Sequence, residues 1–326
     1  MVPGLRVFRG RGIGVRAGGR RLWLDSYGEG IVLISHAHSD HVPRRKASII
    51  ATPQTLSILK VFGRHLDGRS LGFGETLKMG GISVSAQPSG HVLGSSQFII
   101  DAEGERLVYT GDLNVYGSVI LEGGRPVETE KLVIESTYGL PGYRFPPREE
   151  IYSSMIRWIL STIREGDIPA FKVYALGKAQ EIIRMVNTFL GVPVVAGWTV
   201  SRISEKHVEH GLGLEYLPLH NSEGLEVFSQ GECVYVASRR ENPPSRRRLR
   251  WAVATGWALR YRYSRYDASF PLSGHSDFPG LVEYVEQSNP VEVFTVHGYA
   301  NEFAHALRRM GWKARPLDEV GQSSLI

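Results

Sequence analysis

Four side chains able to bind a metal ion, His36, His38, Asp40 and His41, fall within six residues directly after the apolar run Ile31–Ile34. This placement constrains the fold strongly, because a buried imidazole or carboxylate left without a partner is costly. Ile31–Ser35 reads as a buried strand. The residues that follow therefore emerge at a sheet's end, where a loop can hold them rigidly around a common ligand. Imidazole nitrogen and carboxylate oxygen suit zinc, manganese or iron, and no thiolate competes for the role. The spacing lets His36 and His38 face one ion while Asp40 and His41 face a neighbour.

The texture around this loop is that of a sheet-rich layer structure. Short strands are expected at Leu5–Phe8, Gly12–Arg16, Arg21–Asp25, Ser48–Ala51 and Ile82–Gln87, with one helix over Pro53–Phe62 stopped by Gly63. Ser95–Asp101 and Arg106–Thr110 read as a hairpin around Glu103-Gly104. After a strand at Leu132–Ser136 the pattern changes to alternation: helix Arg148–Arg164, strand Ala170–Ala175, helix Lys178–Leu190, strand Val192–Ala196, and strands at Cys233–Ala237 and Trp251–Thr255. Such alternation predicts βαβ units and a mainly parallel sheet. From Gly274 the short strands and loops return, with a buried strand Val291–Val296 and helices at Phe278–Gln287 and Ala300–Met310. At 326 residues the chain exceeds what one core usually supports, so one large domain with an insertion, or two domains, is expected.

Composition adds few restrictions. Hydrophobic residues make up 42% and no apolar run approaches a membrane span, so no membrane partner is expected. The N-terminal residues lack a secretion signal's apolar stretch, and Cys233 is the sole cysteine, which excludes an internal disulfide and points to a cytoplasmic location. The net charge of +5 is unevenly spread. Nine arginines lie between Arg239 and Arg265, among them Arg239, Arg240, Arg246, Arg247, Arg248, Arg260 and Arg262, against the single acid Glu241. Trp257, Tyr261, Tyr263 and Tyr266 are interleaved or adjacent, which suggests a phosphate-binding surface with stacking partners. Lys178, behind Gly177 at a helix start, is a further candidate anion contact.

The motif His36-x-His38-x-Asp40-His41 resembles the signature of the metallo-β-lactamase superfamily, and its other positions follow in order. Asp25 resembles the first motif's supporting aspartate. His91, in Ser89-Gly90-His91, resembles the third-motif ligand, and Asp112, in Thr110-Gly111-Asp112, the carboxylate that bridges two metals. The resemblance narrows to the β-CASP nucleases through three further motifs. Leu132–Gly139 resembles motif A, carried by Glu135; Ser273–Asp277 resembles motif B, carried by His275; and Thr295–Gly298 resembles motif C, carried by His297. Ala175–Glu181 is similar to the start of a typical β-CASP helix, so the match runs over nearly the whole chain.

The resemblance implies a fold and a chemistry. The fold is an α/β metallo-β-lactamase αββα sandwich over residues 1–139 and 271–326, with an inserted α/β β-CASP domain over residues 140–270 that closes over the metals. Two divalent ions, zinc or manganese, are implied: one held by His36, His38, His91 and Asp112, the other by Asp40, His41, His297 and the bridging Asp112. A hydroxide held there is the implied nucleophile, with Asp40, His275 and Glu135 as catalytic residues: His275 as general acid and Glu135 orienting it. Single-stranded RNA is the implied substrate, because a histidine in motif C is typical of RNA-processing members. A single-stranded DNA exonuclease of repair and a non-catalytic nucleic-acid-binding subunit remain alternatives. A homodimer, or association with a helicase, a ligase or an RNA-processing complex, fits the resemblance equally.

Overall fold

The computed structural model describes residues 4–10, 12–25, 30–43, 47–64, 66, 68–238, 243, 245 and 247–317. By compactness the chain divides into unit 1, residues 1–117, 121–144 and 275–326, and unit 2, residues 118–120 and 145–274.

Unit 1 begins with strands β1 (Arg6–Arg9), β2 (Ile13–Ala17), β3 (Arg20–Leu24), β4 (Ile31–Leu33) and β5 (Ser48–Ala51), helix α1 (Pro53–Val61) and strand β6 (Gly68–Ser70). The six strands form one sheet in chain order. β1 to β3 pair antiparallel and β3 to β6 parallel. Next come β7 (Thr76–Met79), β8 (Ile82–Pro88), β9 (Ser96–Ala102), β10 (Glu105–Tyr109) and β11 (Lys131–Glu135).

The chain then supplies unit 2: α2 (Arg148–Arg164), β12 (Ile168–Lys172), α3 (Lys178–Phe189), β13 (Val194–Ala196), α4 (Trp198–Glu209), β14 (Leu217–Pro218), α5 (Ser222–Gln230), β15 (Val234–Ala237), β16 (Leu249–Ala254) and β17 (Ala268–Phe270). Unit 1 is completed by α6 (Phe278–Ser288), β18 (Glu292–Val296), α7 (Ala300–Arg309) and β19 (Ala314–Pro316).

The second sheet of unit 1 runs β19-β18-β11-β10-β9-β8-β7. Its inward side chains, Val84, Phe98, Ile100, Leu107, Val133 and Phe294 among them, share one core with Val15, Leu22, Leu24 and Leu33 of the first sheet. Its other face, through Ile99, Val108, Leu132 and Ile134, packs on Leu281 and Val285 of α6 and Phe303 and Leu307 of α7. β9 is buried on both faces for this reason, and its centre, Phe98–Ile100, is apolar without alternation. Two face-to-face sheets with helices outside make the αββα layers of a metallo-β-lactamase fold. The segments that lead away from unit 1 and back to it lie side by side, since the Phe278 N–H donates to the Tyr143 carbonyl at 3.1 Å.

Unit 2 is a six-stranded sheet in the order β14-β13-β15-β12-β16-β17, and every pairing in it is parallel. Helices cover it, and its strands are accordingly apolar. Two helices escape the sequence reading. α4 starts behind Gly197 with no side-chain cap, and α5 carries Gly224 inside its first turn, a residue that weakens the helical signal. Gly224 is there because a Cβ would lie 2.1 Å from the Pro218 carbonyl oxygen. Among the described residues no helix is long and apolar enough to cross a membrane.

Candidate metal centre

The centre is assembled at the carboxyl ends of parallel strands in both sheets of unit 1. Asp25 directly follows β3, in the left-handed backbone region at φ 49°. It accepts from the Ser35 N–H at 2.6 Å, from the Ser35 hydroxyl, from the Tyr109 hydroxyl at 2.8 Å, and pairs with His41 Nδ1 at 3.0 Å. This buried carboxylate fixes the start of the histidine loop and turns the other ring nitrogen of His41 toward Asp112, 3.5 Å from its Oδ1.

His36, His38, His91 and Asp112 converge, with one donor atom from each lying within 4.8 Å of the others. His36 Nε2 is 2.9 Å from His38 Nδ1 and 3.4 Å from Asp112 Oδ2, and His91 Nε2 is 3.2 Å and 3.5 Å from the same two atoms. Tight backbone turns set these positions. Gly111 has φ 54° and leaves no room for a Cβ, which would lie 2.6 Å from the Ser35 Cβ. The loop before His91 needs Gly90 likewise, since a Cβ there would sit 2.3 Å from the Asn114 carbonyl oxygen. The Ser95 hydroxyl then accepts from the His91 and Val92 N–H groups at 3.0 and 3.1 Å.

Glu135, the last residue of β11 and wholly buried, faces this group from the second sheet. Its Oε1 accepts from the Leu113 N–H at 2.8 Å and pairs with His275 Nδ1 at 2.8 Å; its Oε2 accepts from the Thr137 N–H at 3.1 Å. His275 Nε2 stands 4.0 Å from Asp112 Oδ2. His297 directly follows β18 at φ 62°, an uncommon conformation for a residue other than glycine, and its ring centroid is 5.5 Å from that of His41. Asp40 stands apart from the cluster. Its side chain is 81% exposed, and its Oδ2 is 3.8 Å from His41 Nε2.

The electrostatics follow from this crowding. Burial, reinforced by the neighbouring histidines, holds His36 well below the ordinary imidazole range, so it is neutral and keeps a lone pair to offer. Burial also works to lower His41, but the Asp112 and Asp25 carboxylates outweigh it and raise His41 to about 10. Burial lifts Asp112, whereas Glu135 is held below its usual value despite burial, by His275 and by the bonds it accepts. Imidazole nitrogens and a carboxylate oxygen that face one another in this way fit a divalent metal ion.

Three buried polar groups here carry no signal in the sequence: Tyr109, Ser35 and Ser276. Ser276 donates its N–H to the Leu113 carbonyl at 2.7 Å, and its hydroxyl accepts from the Val115 N–H at 3.0 Å, which staples the segment after Asp112 to the segment after His275. The next residue, Asp277, caps α6 through the Gly280 N–H and accepts from the Tyr116 hydroxyl at 2.7 Å.

Of the candidate nucleic-acid contacts, Arg239, Arg240 and Arg246 lie outside the described residues. The rest do not form the continuous patch expected from the sequence. Arg247 and Arg248 precede β16, while Arg260 and Arg262 belong to the connection that leaves its other end. Arg248 reaches Asp267 at 3.5 Å, and Arg250 pairs with Glu165 and Asp267. Arg260 and Arg262 are exposed. Lys178 opens α3, with its Nζ 5.3 Å over the ring of Tyr174.

Comparison with known proteins fits this geometry. Residues 268–315, which carry His275 and His297, match the Zn-dependent metallo-hydrolase RNA specificity domain. The chain is 30% identical over 317 residues to a probable DNA ligase of Opitutus terrae, covering 93% of this chain and 30% of that protein. It is 26% identical over 284 residues to cleavage and polyadenylation specificity factor subunit 3 of Dictyostelium discoideum, covering 69% of this chain and 36% of that one. The chain belongs to the β-CASP branch of the metallo-β-lactamase superfamily. As a β-CASP chain it spans about a third of the length of these curated relatives. A crystal structure of a protein of unknown function from Enterococcus faecalis shares the fold, with a TM-score of 0.61 at 16% identity over 84% of this chain and 76% of that one. The β-CASP assignment also accounts for the segment Ala175–Glu181. Gln180 caps the turn by accepting from the Gly177 N–H at 2.8 Å and ties it to Ser204 of α4 at 3.1 Å, while Glu181 pairs with Arg148 and accepts from the Tyr152 hydroxyl at 2.7 Å.

Proposed function

We propose that this chain is a metal-dependent nuclease that hydrolyses phosphodiester bonds of single-stranded nucleic acid, with RNA the favoured substrate. The observation that carries the reading is the pairing of His275 with buried Glu135, next to the donors around Asp112. Hydrolysis of a phosphodiester expels a sugar alkoxide, a poor leaving group that needs a proton. An ionised carboxylate 2.8 Å from Nδ1 favours the imidazolium form and leaves Nε2–H to serve as that donor. Glu135 is thus an orienting base to the acid.

His36, His38, His91 and Asp112 are the residues to hold one divalent ion, and His41, Asp40 and His297 with Asp112 the other, zinc being favoured by the matching domain's description. When bound, such ions lower the pKa of water and neutralise phosphate charge. Asp25 keeps His41 oriented throughout. We assign residues 1–139 and 271–326 to the metallo-β-lactamase domain and 140–270 to the β-CASP insertion.

A second reading, action on single-stranded DNA, is supported by the alignment of 93% of this chain with a protein described as a probable DNA ligase. One experiment separates the two. RNA and single-stranded DNA of equal sequence, labelled at either end and carrying 5′-phosphate or 5′-hydroxyl, are incubated with the protein and zinc or manganese, beside Asp112→Ala. Cleavage of RNA that Asp112→Ala abolishes is expected, and product lengths report the direction of attack. Intact substrates throughout, or equal cleavage by the variant, rule the nuclease reading out.

A further inference from the structure

Among the large aromatic side chains that unit 2 leaves half in water are Tyr174, at 54% exposure, and Trp198, at 55%. Strand register places them at one end of the sheet. Phe171 of β12 is level with Val236 of β15, Val236 with Ala196 of β13, and Phe171 with Ala252 of β16. Tyr174 follows Phe171 by three residues and Trp198 follows Ala196 by two, so both lie just past the carboxyl ends of their strands. Trp257 and the exposed Tyr261, which follow β16, leave the sheet at that same end. β15 separates β12 from β13, so the two backbones are about 10 Å apart, twice the spacing of neighbouring strands.

Each of the two aromatics has a cation of its own. Lys178 Nζ lies 5.3 Å from the Tyr174 ring centroid, and the Arg202 guanidinium carbon 4.7 Å from that of Trp198. Lys178 opens α3 and Arg202 is the fifth residue of α4, and both helices start at this edge. The positions are firmly held, because buried Gln180 bonds the Ala175 carbonyl, the Gly177 N–H and the Ser204 hydroxyl together. A ring that offers a stacking face beside a cation that offers a phosphate contact is the repeating unit by which proteins hold single strands without reading their sequence. Here the unit occurs twice on one edge.

We propose that the carboxyl edge of the unit 2 sheet is a base-stacking platform for single-stranded nucleic acid, formed by Tyr174 with Lys178 and Trp198 with Arg202. The proposal rests on the reading that single strands are the substrate, and adds to the arginine-rich segment a site of different chemistry on different residues. It also explains why the two aromatics are left exposed.

Binding is measured by fluorescence anisotropy of a labelled oligonucleotide on the whole chain, with EDTA present so that cleavage plays no part. Trp198→Ala and Tyr174→Ala are each expected to weaken binding about tenfold, the scale of one lost base stack. Trp198→Phe, which keeps a stacking face, should retain most of the affinity. Phe189→Ala should change nothing: it removes a ring equally exposed at 53%, but from the far end of α3. An abasic strand of the same length should bind the parent and Trp198→Ala equally. Unchanged affinity in both aromatic variants, or a deficit that persists on the abasic strand, overturns the platform. Cleavage assayed separately keeps the two claims apart: Trp198-dependent binding by a parent that never cuts supports the platform and counts against the nuclease, while cutting with binding indifferent to both rings does the reverse.

Discussion

Asp25 accepts from Ser35 twice, from Tyr109 and from His41, so its carboxylate is saturated with donors while His41 is oriented by it. Replacing it by asparagine keeps the shape but removes the charge and turns one acceptor into a donor. Asp25→Asn should lower metal affinity 10- to 100-fold, the usual effect of losing a ligand's supporting carboxylate, as read by competition with a chelator. Glu135→Gln tests the proton donor instead. It should slow cleavage of an ordinary phosphodiester by roughly 10² to 10⁴, the range for general acid catalysis, and slow a p-nitrophenyl ester far less, because that leaving group departs without a proton. Equal losses on both substrates would remove His275 from the donor role. Most of this centre was legible in the sequence, since His36, His38, His41, His91 and Asp112 each stand at a strand end marked by an apolar run or a glycine. Tyr109 and Ser276 were not legible. Their partners lie 84 and 161 or more residues away, and nothing local distinguishes a tyrosine or serine bonded across a core from one that is not.

At the scale of single elements, α4 shows what a sequence window misses. Its buried face includes His207, whose Nδ1 faces the Ile203 carbonyl at 2.9 Å, one turn back. Burial lowers this imidazole to about 4. The folded chain therefore leaves His207 neutral at pH values where the unfolded chain protonates it, so its contribution to stability falls as pH drops from about 6.5 toward 4. His207→Gln should flatten the decline of thermal stability across that window; an unchanged slope would exclude His207 as its source. The join between α2 and α3 makes a second case. Arg148 and Glu181 form a buried pair, with Arg148 also donating to the Ser273 carbonyl at 2.8 Å. Glu181→Ala strands a buried guanidinium and should cost about 3–5 kcal/mol in denaturant unfolding, whereas replacing both partners with apolar residues should cost much less. The arginine run teaches the converse lesson. Its residues are close in sequence, but β16 runs between them, and only strand length separates one surface from two.

For the molecule as a whole, the candidate metal donors belong to unit 1, and none of the described residues between 145 and 274 contributes to the clusters around Asp112. Chelation should therefore loosen amide protection near His36, His91 and Asp112 in hydrogen exchange and leave the parallel sheet of unit 2 unaltered. Matching loss in both units would mean that the ions stabilise more than their own sandwich. The parallel sheet was readable from strand and helix alternation and the layer order from the motif resemblance alone; the short edge strands β6, β14 and β19 were not readable, because two or three residues carry no period. The hydrogen bond between Phe278 and Tyr143 has a further consequence. The two ends of the 145–274 segment are anchored to one another within unit 1, so that segment can be treated as a cassette. A short bridge between those ends closes this gap in unit 1, and a different module can be spliced in while the ligand loops keep their places. On this plan the insertion can be exchanged by recombination, independently of the loops that carry the metal-binding side chains.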